Sequence, residues 1–186
     1  MQSSILLASG SPRRKELLEQ LGYQFAVIRT DVEEKRKNDE SALEYVSRLS
    51  QDKALAGVAL APDSIVIGSD TIVVCDQAVL EKPLDYTHAK QMLMLLSGRA
   101  HQVMTAVTVA NKQKQETVVV TTDVWFKPLS EQEIEQYWQS GEPCDKAGSY
   151  AIQGIGGRFV TRIEGSYYAV VGLPLYETDQ LLHKFL

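Results

Sequence analysis

The sequence has little of what marks a secreted, membrane-bound or nucleic-acid-coating protein. Its two cysteines, Cys75 and Cys144, lie far apart without a CxxC spacing, which argues against a disulfide framework or a structural zinc site. No apolar run approaches the length of a membrane span. Lys and Arg number 19 against 24 Asp and Glu, and the net charge of −5 disfavours nucleic acid and anionic membranes as partners. The charges near the N-terminus follow a short apolar run, the wrong order for a secretory signal, so we expect a cytoplasmic protein.

Strand-like and helix-like segments alternate along the 186 residues, a length that suits one domain, 1–186. Continuous apolar runs at 5–8 and 64–68 are typical of strands buried on both faces, and residues 23–29 indicate a third strand. Two longer β segments, at about 102–110 and 116–126, are separated by a turn. This order predicts an α/β fold with a mixed, twisted sheet and flanking helices.

Capping residues give the helix boundaries. Ser11 and Pro12 predict a helix start, and the capping boxes Ser41–Glu44 and Ser130–Glu133 predict two more. Further helices are expected over 87–96 and after Pro174, and two short strands are expected after Gly157. The strand beginning at Ser64 is expected to end at Ser69-Asp70-Thr71, and the chain is expected to continue extended from Ile72 to Cys75.

Several common catalytic motifs are missing. The chain contains no GxxxxGK[ST] phosphate loop and no GxSxG nucleophile elbow. Gly154-Ile155-Gly156-Gly157 resembles a dinucleotide fingerprint only faintly, because it precedes a strand instead of opening a helix. His88, His101 and His183 lack metal-ligand spacing, so they are interpreted as surface or core histidines.

The segment Ser9-Gly10-Ser11-Pro12-Arg13-Arg14 is the first candidate for a binding site. It follows a buried strand and opens a helix, where free amides and the helix dipole attract anions. Arg13 and Arg14 there can bind phosphate oxygens through paired contacts. Cations alone at this helix end would oppose the dipole, so a bound anion explains the pattern better than a solvated turn does.

Acidic and basic residues elsewhere add to this chemistry. Asp70 follows a buried strand, where a carboxylate can hold a divalent cation or accept a proton from water, although a simple turn explains it about equally well. Lys82 lies beside a proline bend, and the acidic loop 31–34 offers a second metal ligand, but solvated surface charge is the commoner explanation for both. Lys53 is unremarkable alone. Together these residues indicate metal-assisted chemistry on a phosphorylated small molecule, and they do not name it.

A family resemblance goes further. Leu7 to Leu18 resembles the N-terminal signature of the Maf family of nucleoside triphosphate pyrophosphatases. Further blocks follow in family order over nearly the whole chain: Asp31-Val32-Glu33-Glu34, Asp52-Lys53-Ala54, Gly68-Ser69-Asp70-Thr71, Glu81-Lys82-Pro83, Leu96-Ser97-Gly98, Asp145-Lys146-Ala147-Gly148, Ile152-Gln153-Gly154 and Val170-Val171-Gly172-Leu173-Pro174.

The resemblance implies a fold, an activity and site residues. It implies a Maf/ITPase-like α/β fold with a central cleft, a homodimer, and a divalent cation (Mg²⁺ or Mn²⁺). The implied reaction cuts a nucleoside triphosphate between its α- and β-phosphates. Asp70 matches the proposed catalytic acid-base residue, and Glu34 matches the acid that shares metal binding with it. Further matches, at the phosphate end of the cleft, are Ser9, Arg13, Arg14, Lys53 and Lys82.

Three positions indicate the branch of the family. Arg13, Thr71 and Gln153 resemble the residues of the branch that acts on dTTP and UTP, whereas a sister branch that prefers 7-methyl-GTP has Trp, Gln and Glu there. A glutamine amide can both donate to and accept from a pyrimidine edge. Two alternatives stay open: clearance of modified nucleotides, because a pocket discriminates weakly against one methyl group, and a nucleotide-binding regulator of cell division, from the family's association with septum formation.

Overall fold

A computed structural model describes residues 4–186, and within that range it contains seven strands and six α-helices. The strands are Ile5–Leu7 (β1), Phe25–Val27 (β2), Ile65–Cys75 (β3), Ala78–Leu80 (β4), Ala100–Ala110 (β5), Gln115–Phe126 (β6) and Val160–Glu164 (β7). The helices are Pro12–Gln20 (α1), Ala42–Leu60 (α2), Tyr86–Leu96 (α3), Glu131–Gln139 (α4), Tyr167–Val171 (α5) and Leu175–His183 (α6). None of the helices in this range is long and apolar enough to cross a membrane.

All seven strands belong to one sheet with the order β2-β1-β3-β5-β6-β7, and β4 pairs with β3 outside that path. Strand β1 is parallel to both neighbours, so Leu6 lies opposite Ala26 on one side and Val66 on the other. The pairs β3–β4 and β6–β7 are antiparallel. The sheet is therefore mixed, which confirms the predicted α/β class.

The chain divides into two compact units. The first comprises the residues up to Asp70 together with Thr105–Val120 and Gly172–Leu186, and the second comprises Thr71–Met104 and Thr121–Val171. In the first unit, Leu6, Ala8 and Val66 form a small apolar cluster between strands and helix α2. In the second, a larger cluster joins α3 and α4 to the strands of that unit.

The helix starts follow the capping residues. The Ser11 hydroxyl accepts a hydrogen bond from the Arg14 amide at 3.3 Å, and Pro12 is the first residue of α1. Both predicted capping boxes form, with the Ser41 and Ser130 hydroxyls accepting from the amides three residues later. These boundaries were predictable because the signals are local.

Two sequence predictions were wrong. The break expected at Ser69-Asp70-Thr71 is absent: β3 runs through these residues into the extended segment that was predicted over 72–75, so Asp70 lies in the middle of β3. The second of the two strands expected after Gly157 is instead helix α5. This helix begins because the Ser166 hydroxyl accepts from the Ala169 amide at 3.1 Å, which outweighs the strand preference of the aromatic and β-branched residues there.

Helix α2 approaches strand β3 closely at Gly68. A β-carbon at this position would lie 2.3 Å from the Ser50 carbonyl oxygen and 2.6 Å from the Ala54 nitrogen. Both atoms belong to the α2 backbone, which has no freedom to move aside. Glycine at position 68 therefore sets the distance between the helix and the strand.

His101 is buried in the aromatic part of the second unit. Its Nε2 is 2.6 Å from the Tyr150 hydroxyl, while its Nδ1 has no hydrogen-bond partner within residues 4–186. The rings of Phe126 and Tyr150 pack edge-on against the imidazole. Burial lowers the pKa of His101 to about 4, so the side chain is neutral at pH 7.

We expect His101 to make the protein less stable in mild acid. Because the unfolded imidazole has its ordinary pKa near 6.5, the unfolded chain binds a proton first as the pH falls from 6.5 toward about 4. Over that window the free energy of unfolding should decrease by up to about 1.4 kcal/mol per pH unit from this group. Urea unfolding at pH 7, 6 and 5 measures the slope.

The control for this prediction is His101→Gln, which keeps a polar partner for Tyr150 and does not titrate. Carboxylates contribute equally to both proteins, so the difference between the two slopes isolates the imidazole. Equal slopes in the two proteins would contradict the prediction.

Candidate active site

Lys53 and two carboxylates form the centre of the site in the first unit. The Lys53 Nζ lies 2.8 Å from Asp70 Oδ1 and 2.6 Å from Glu34 Oε1. Helix α2 carries Lys53, strand β3 carries Asp70, and the acidic loop before α2 carries Glu34. Three segments that are distant in sequence thus place one ammonium between two carboxylates.

The Asp70 carboxylate is buried, and its ionisation depends on its neighbours. Only 12% of its side chain is exposed, and 14% of that of Lys53, whereas 48% of the Glu34 side chain is exposed. Burial raises the pKa of Asp70 above its ordinary value, and the positive charges of Lys53 and Arg14 oppose that effect. A buried carboxylate beside cations can accept a proton from water, which is what the predicted acid-base role requires.

Arg14 joins this centre from the first turn of α1. Burial lowers its pKa from the ordinary value, the neighbouring Arg13 charge also lowers it, and the Asp70 and Glu34 carboxylates raise it. The Arg14 Nε donates to the Gly172 carbonyl at 2.7 Å, so the guanidinium is held in one orientation. Ser9 lies in the loop before α1, and its hydroxyl accepts from the Ser11 amide at 3.2 Å. The Ser9 hydroxyl is thus bound to the residue that caps α1, the helix that carries Arg13 and Arg14.

Two groups that support Arg14 were not predicted from the sequence. The Gly172 carbonyl accepts from the buried Ser69 hydroxyl at 3.3 Å as well as from Arg14, and that hydroxyl also donates to the Ala106 carbonyl at 2.9 Å. Gly172 has a φ of +139°, a conformation that L side chains rarely adopt. In the sequence, Gly172 directly before Leu173-Pro174 indicates an unusual backbone conformation, but it does not indicate which groups bind the Gly172 carbonyl.

The donor set of this centre suits a divalent cation that is shared with a substrate. Asp70 and Glu34 are the available carboxylates, and no group of three or more His, Cys, Asp or Glu in residues 4–186 is arranged to hold a metal. Mg²⁺ is commonly bound by one or two carboxylates, with phosphate oxygens and waters as the other ligands. These residues therefore fit a cation that arrives with a phosphorylated substrate better than a permanently caged one.

The remaining predicted residues belong to the second unit. Thr71 is partly buried on β3 and follows Asp70 directly. Lys82 is exposed in the segment after β4. Gln153 is exposed in the loop between Tyr150 and the 3₁₀ turn Ile155–Phe159. The structure thus brings six of the predicted residues into one unit, and Thr71, Lys82 and Gln153 into the other.

We expect Lys53→Met to destabilise the fold. The substitution leaves the buried Asp70 carboxylate without its ammonium, and breaking such a pair should lower the free energy of unfolding by about 3 kcal/mol. Adding Asp70→Asn to Lys53→Met should recover part of the loss, because the amide does not need a counter-charge. Urea unfolding of the single and double variants at pH 7 measures the coupling.

The matched control is Lys112→Met, which removes an exposed ion pair with Asp63 whose lysine is 59% exposed. Exposed pairs stabilise proteins little, so this variant should differ little from the parent protein. If Lys53→Met proves no more costly than Lys112→Met, the ammonium does not stabilise Asp70.

Comparison with known proteins identifies the family of this chain. The chain is 72% identical over 184 residues to the dTTP/UTP pyrophosphatase of Vibrio cholerae serotype O1, with 98% of each chain covered. It is 70% identical to the protein of the same name from Vibrio parahaemolyticus serotype O3:K6, over 98% of this chain and 97% of the relative. The corresponding protein of Salmonella typhimurium is 57% identical, over 98% and 93%. The family model for Maf-like proteins matches residues 4–185, and the chain belongs to that family.

Proposed function

We propose that this protein hydrolyses dTTP and UTP to the nucleoside monophosphate and pyrophosphate. The observation that carries the proposal is the similarity, over 98% of the chain, to proteins named for that activity. The site in the first unit supports it, because a buried carboxylate beside lysine and arginine suits hydrolysis of a polyanion.

In the proposed reaction, Asp70 acts on the attacking water. Its carboxylate orients the water and accepts a proton as the water oxygen bonds to phosphorus and the α–β anhydride bond breaks. Lys53 keeps the carboxylate ionised against the effect of burial until the proton is transferred. The leaving pyrophosphate takes the electrons of the broken bond.

Cationic and polar side chains bind the triphosphate in this proposal. Arg13 and Arg14 offer planar guanidinium groups at the α1 N-terminus, next to the Ser9 hydroxyl, and Lys82 supplies a further ammonium. Mg²⁺ or Mn²⁺, held by Asp70 and Glu34 with the substrate, would supply charge neutralisation at the phosphate oxygens. Lys53 contacts both carboxylates, so it would shift its contacts when the cation binds.

The base is read, in our proposal, by Gln153 with Thr71 and Arg13. The Gln153 amide can donate to a pyrimidine carbonyl and accept from its ring N–H, and the side chain is exposed. We further propose that residues 1–186 act as one pyrophosphatase domain within a cytoplasmic homodimer. The free thiols of Cys75 and Cys144 suit a reducing compartment.

The first experiment measures pyrophosphate release from dTTP, UTP, CTP, 5-methyl-UTP, ITP and 7-methyl-GTP, each with Mg²⁺ or Mn²⁺. We expect selective turnover of dTTP and UTP, and a fall in kcat of at least about 100-fold in Asp70→Asn, because a general base contributes that much. The size of the side chain is unchanged, so the variant should fold, as circular dichroism would show.

Asp63→Asn is the matched control, since the same substitution there removes an exposed carboxylate that pairs with Lys112. Its turnover should equal that of the parent protein. Near-normal turnover in Asp70→Asn would remove Asp70 from the catalytic role. Tight nucleotide binding without turnover in the parent protein would instead favour a regulator of cell division.

We expect Gln153→Glu to weaken the use of pyrimidine nucleotides. An ionised carboxylate cannot donate to the base carbonyl, so kcat/KM for dTTP and UTP should fall about tenfold. Inhibition by tripolyphosphate, which has no base, should change much less. Gln136→Glu, the same charge change on exposed α4, is the control. An equal loss for the nucleotides and for tripolyphosphate binding would show that Gln153 does not read the base.

A further inference from the structure

The loop that carries Gln153 is bound on one side by the partly buried carboxylate of Glu142. Glu142 lies in the 3₁₀ turn Glu142–Asp145, just after helix α4. Its Oε1 accepts from the Ile155 amide at 2.9 Å, and its Oε2 accepts from the Gly156 amide at 3.0 Å. One carboxylate therefore holds the two amides that follow Gly154.

A tyrosine holds the other side of the same loop. The Tyr137 hydroxyl accepts from the Ala151 amide at 3.0 Å and donates to Glu142 Oε2. The Tyr137 ring packs edge-on against Phe159 in the core of the second unit. The hydrogen-bonded pair of Tyr137 and Glu142 thus holds backbone amides on both sides of Gln153 and connects them to the core.

Close packing leaves no room for a side chain at two glycines of the loop. A β-carbon at Gly154 would lie 1.8 Å from Glu142 Oε1, and one at Gly156 would lie 2.6 Å from the Tyr137 hydroxyl. Within the loop, the Gly154 amide donates to the Ala151 carbonyl at 3.2 Å and the Gly157 amide donates to the Gly154 carbonyl at 3.0 Å. The backbone around Gln153 is therefore held at several points by hydrogen bonds, whereas the Gln153 side chain is exposed.

The contacts require an ionised carboxylate at position 142. Burial alone would raise the pKa of Glu142, but the hydrogen bonds from Tyr137, Gly156 and Ile155 lower it below the ordinary value. Both oxygens accept, so a glutamine would direct its NH₂ group at a backbone donor. The charge, and not only the size, of Glu142 matches the loop.

We propose that Glu142 is a positioning residue for base selection, which acts with Tyr137 to hold the 151–157 loop so that the Gln153 amide meets the nucleobase in one geometry. The proposal rests on the base-reading role of Gln153 proposed above. It adds that discrimination among bases depends on a carboxylate that itself needs no contact with the nucleotide, because a displaced amide loses its hydrogen bonds to the base while the phosphate contacts remain.

The test is Glu142→Gln in the pyrophosphate-release assay with dTTP, UTP and ITP. We expect KM for dTTP and UTP to rise about tenfold and the preference for dTTP over ITP to shrink, since at least one hydrogen bond to the base becomes misaligned. Inhibition by tripolyphosphate should stay within about twofold, because that probe contacts only the phosphate side. Tyr137→Phe keeps the ring packing and should change the same quantities in the same direction, by less.

Glu135→Gln, the same substitution on the exposed surface of α4, is the matched control and should behave as the parent protein. A lower melting temperature with unchanged base preference in Glu142→Gln would overturn the proposal and leave Glu142 with a purely structural role. An equal loss for dTTP, ITP and tripolyphosphate would also overturn it.

The two proposals fail separately in this design. Absence of turnover in the parent protein would contradict the proposed activity itself. Turnover in the parent protein, a base effect in Gln153→Glu and none in Glu142→Gln would contradict only the positioning role. If Glu142→Gln does not fold, Tyr137→Phe decides, because it removes the shared hydroxyl and preserves the aromatic contact with Phe159.

Discussion

The charge balance around Asp70 is the constraint on which the site depends. A carboxylate in the middle of a buried strand would be neutral or destabilising without a counter-charge. Lys53 provides that charge at 2.8 Å and shares it with the more exposed Glu34 at 2.6 Å. Burial raises the pKa of Asp70, and the positive charges of Lys53 and Arg14 oppose that rise.

The backbone keeps these charges together. Gly68 brings strand β3 against the α2 backbone at Ser50 and Ala54, the residues on either side of Lys53 along the helix. The backbone of Lys53 therefore lies close to strand β3, on which Asp70 follows Gly68 by two residues. On the other flank, one carbonyl, that of Gly172, orients Arg14 and receives the Ser69 hydroxyl. Gly68 thus allows the close approach of helix and strand, and Gly172 supplies the carbonyl that orients Arg14.

The sequence predicted the parts of this protein that depend on neighbours along the chain. Ser11, Ser41 and Ser130 begin their helices as expected, because a cap and its amide partner are three residues apart. The continuation of β3 through Asp70 was not predictable in the same way. The charge that compensates the buried Asp70 comes from Lys53, which is 17 residues away, and only the folded chain brings the two together.

In the candidate site, too, some features were predicted from the sequence and others appear only in the folded chain. The resemblance to Maf proteins named Asp70, Glu34 and Lys53, and the structure adds that one ammonium joins the two carboxylates. Neither Glu142 nor the Gly172 carbonyl was found from the sequence. Their roles come from hydrogen bonds to backbone atoms, and a backbone atom leaves no mark on residue type unless, as at Gly68, it excludes a side chain.

The way in which Tyr137 and Glu142 hold their loop also limits how such a protein can diverge. Amides on both sides of Gln153 are bound at fixed separations, so an inserted or deleted residue between 151 and 157 would move at least one of them away from its acceptor. Under the proposed base-reading role, a side-chain exchange at position 153 would change the contact with the base and keep these backbone hydrogen bonds, whereas a change of loop length would not keep them. Relatives that share these hydrogen bonds should therefore keep one length of the 151–157 loop.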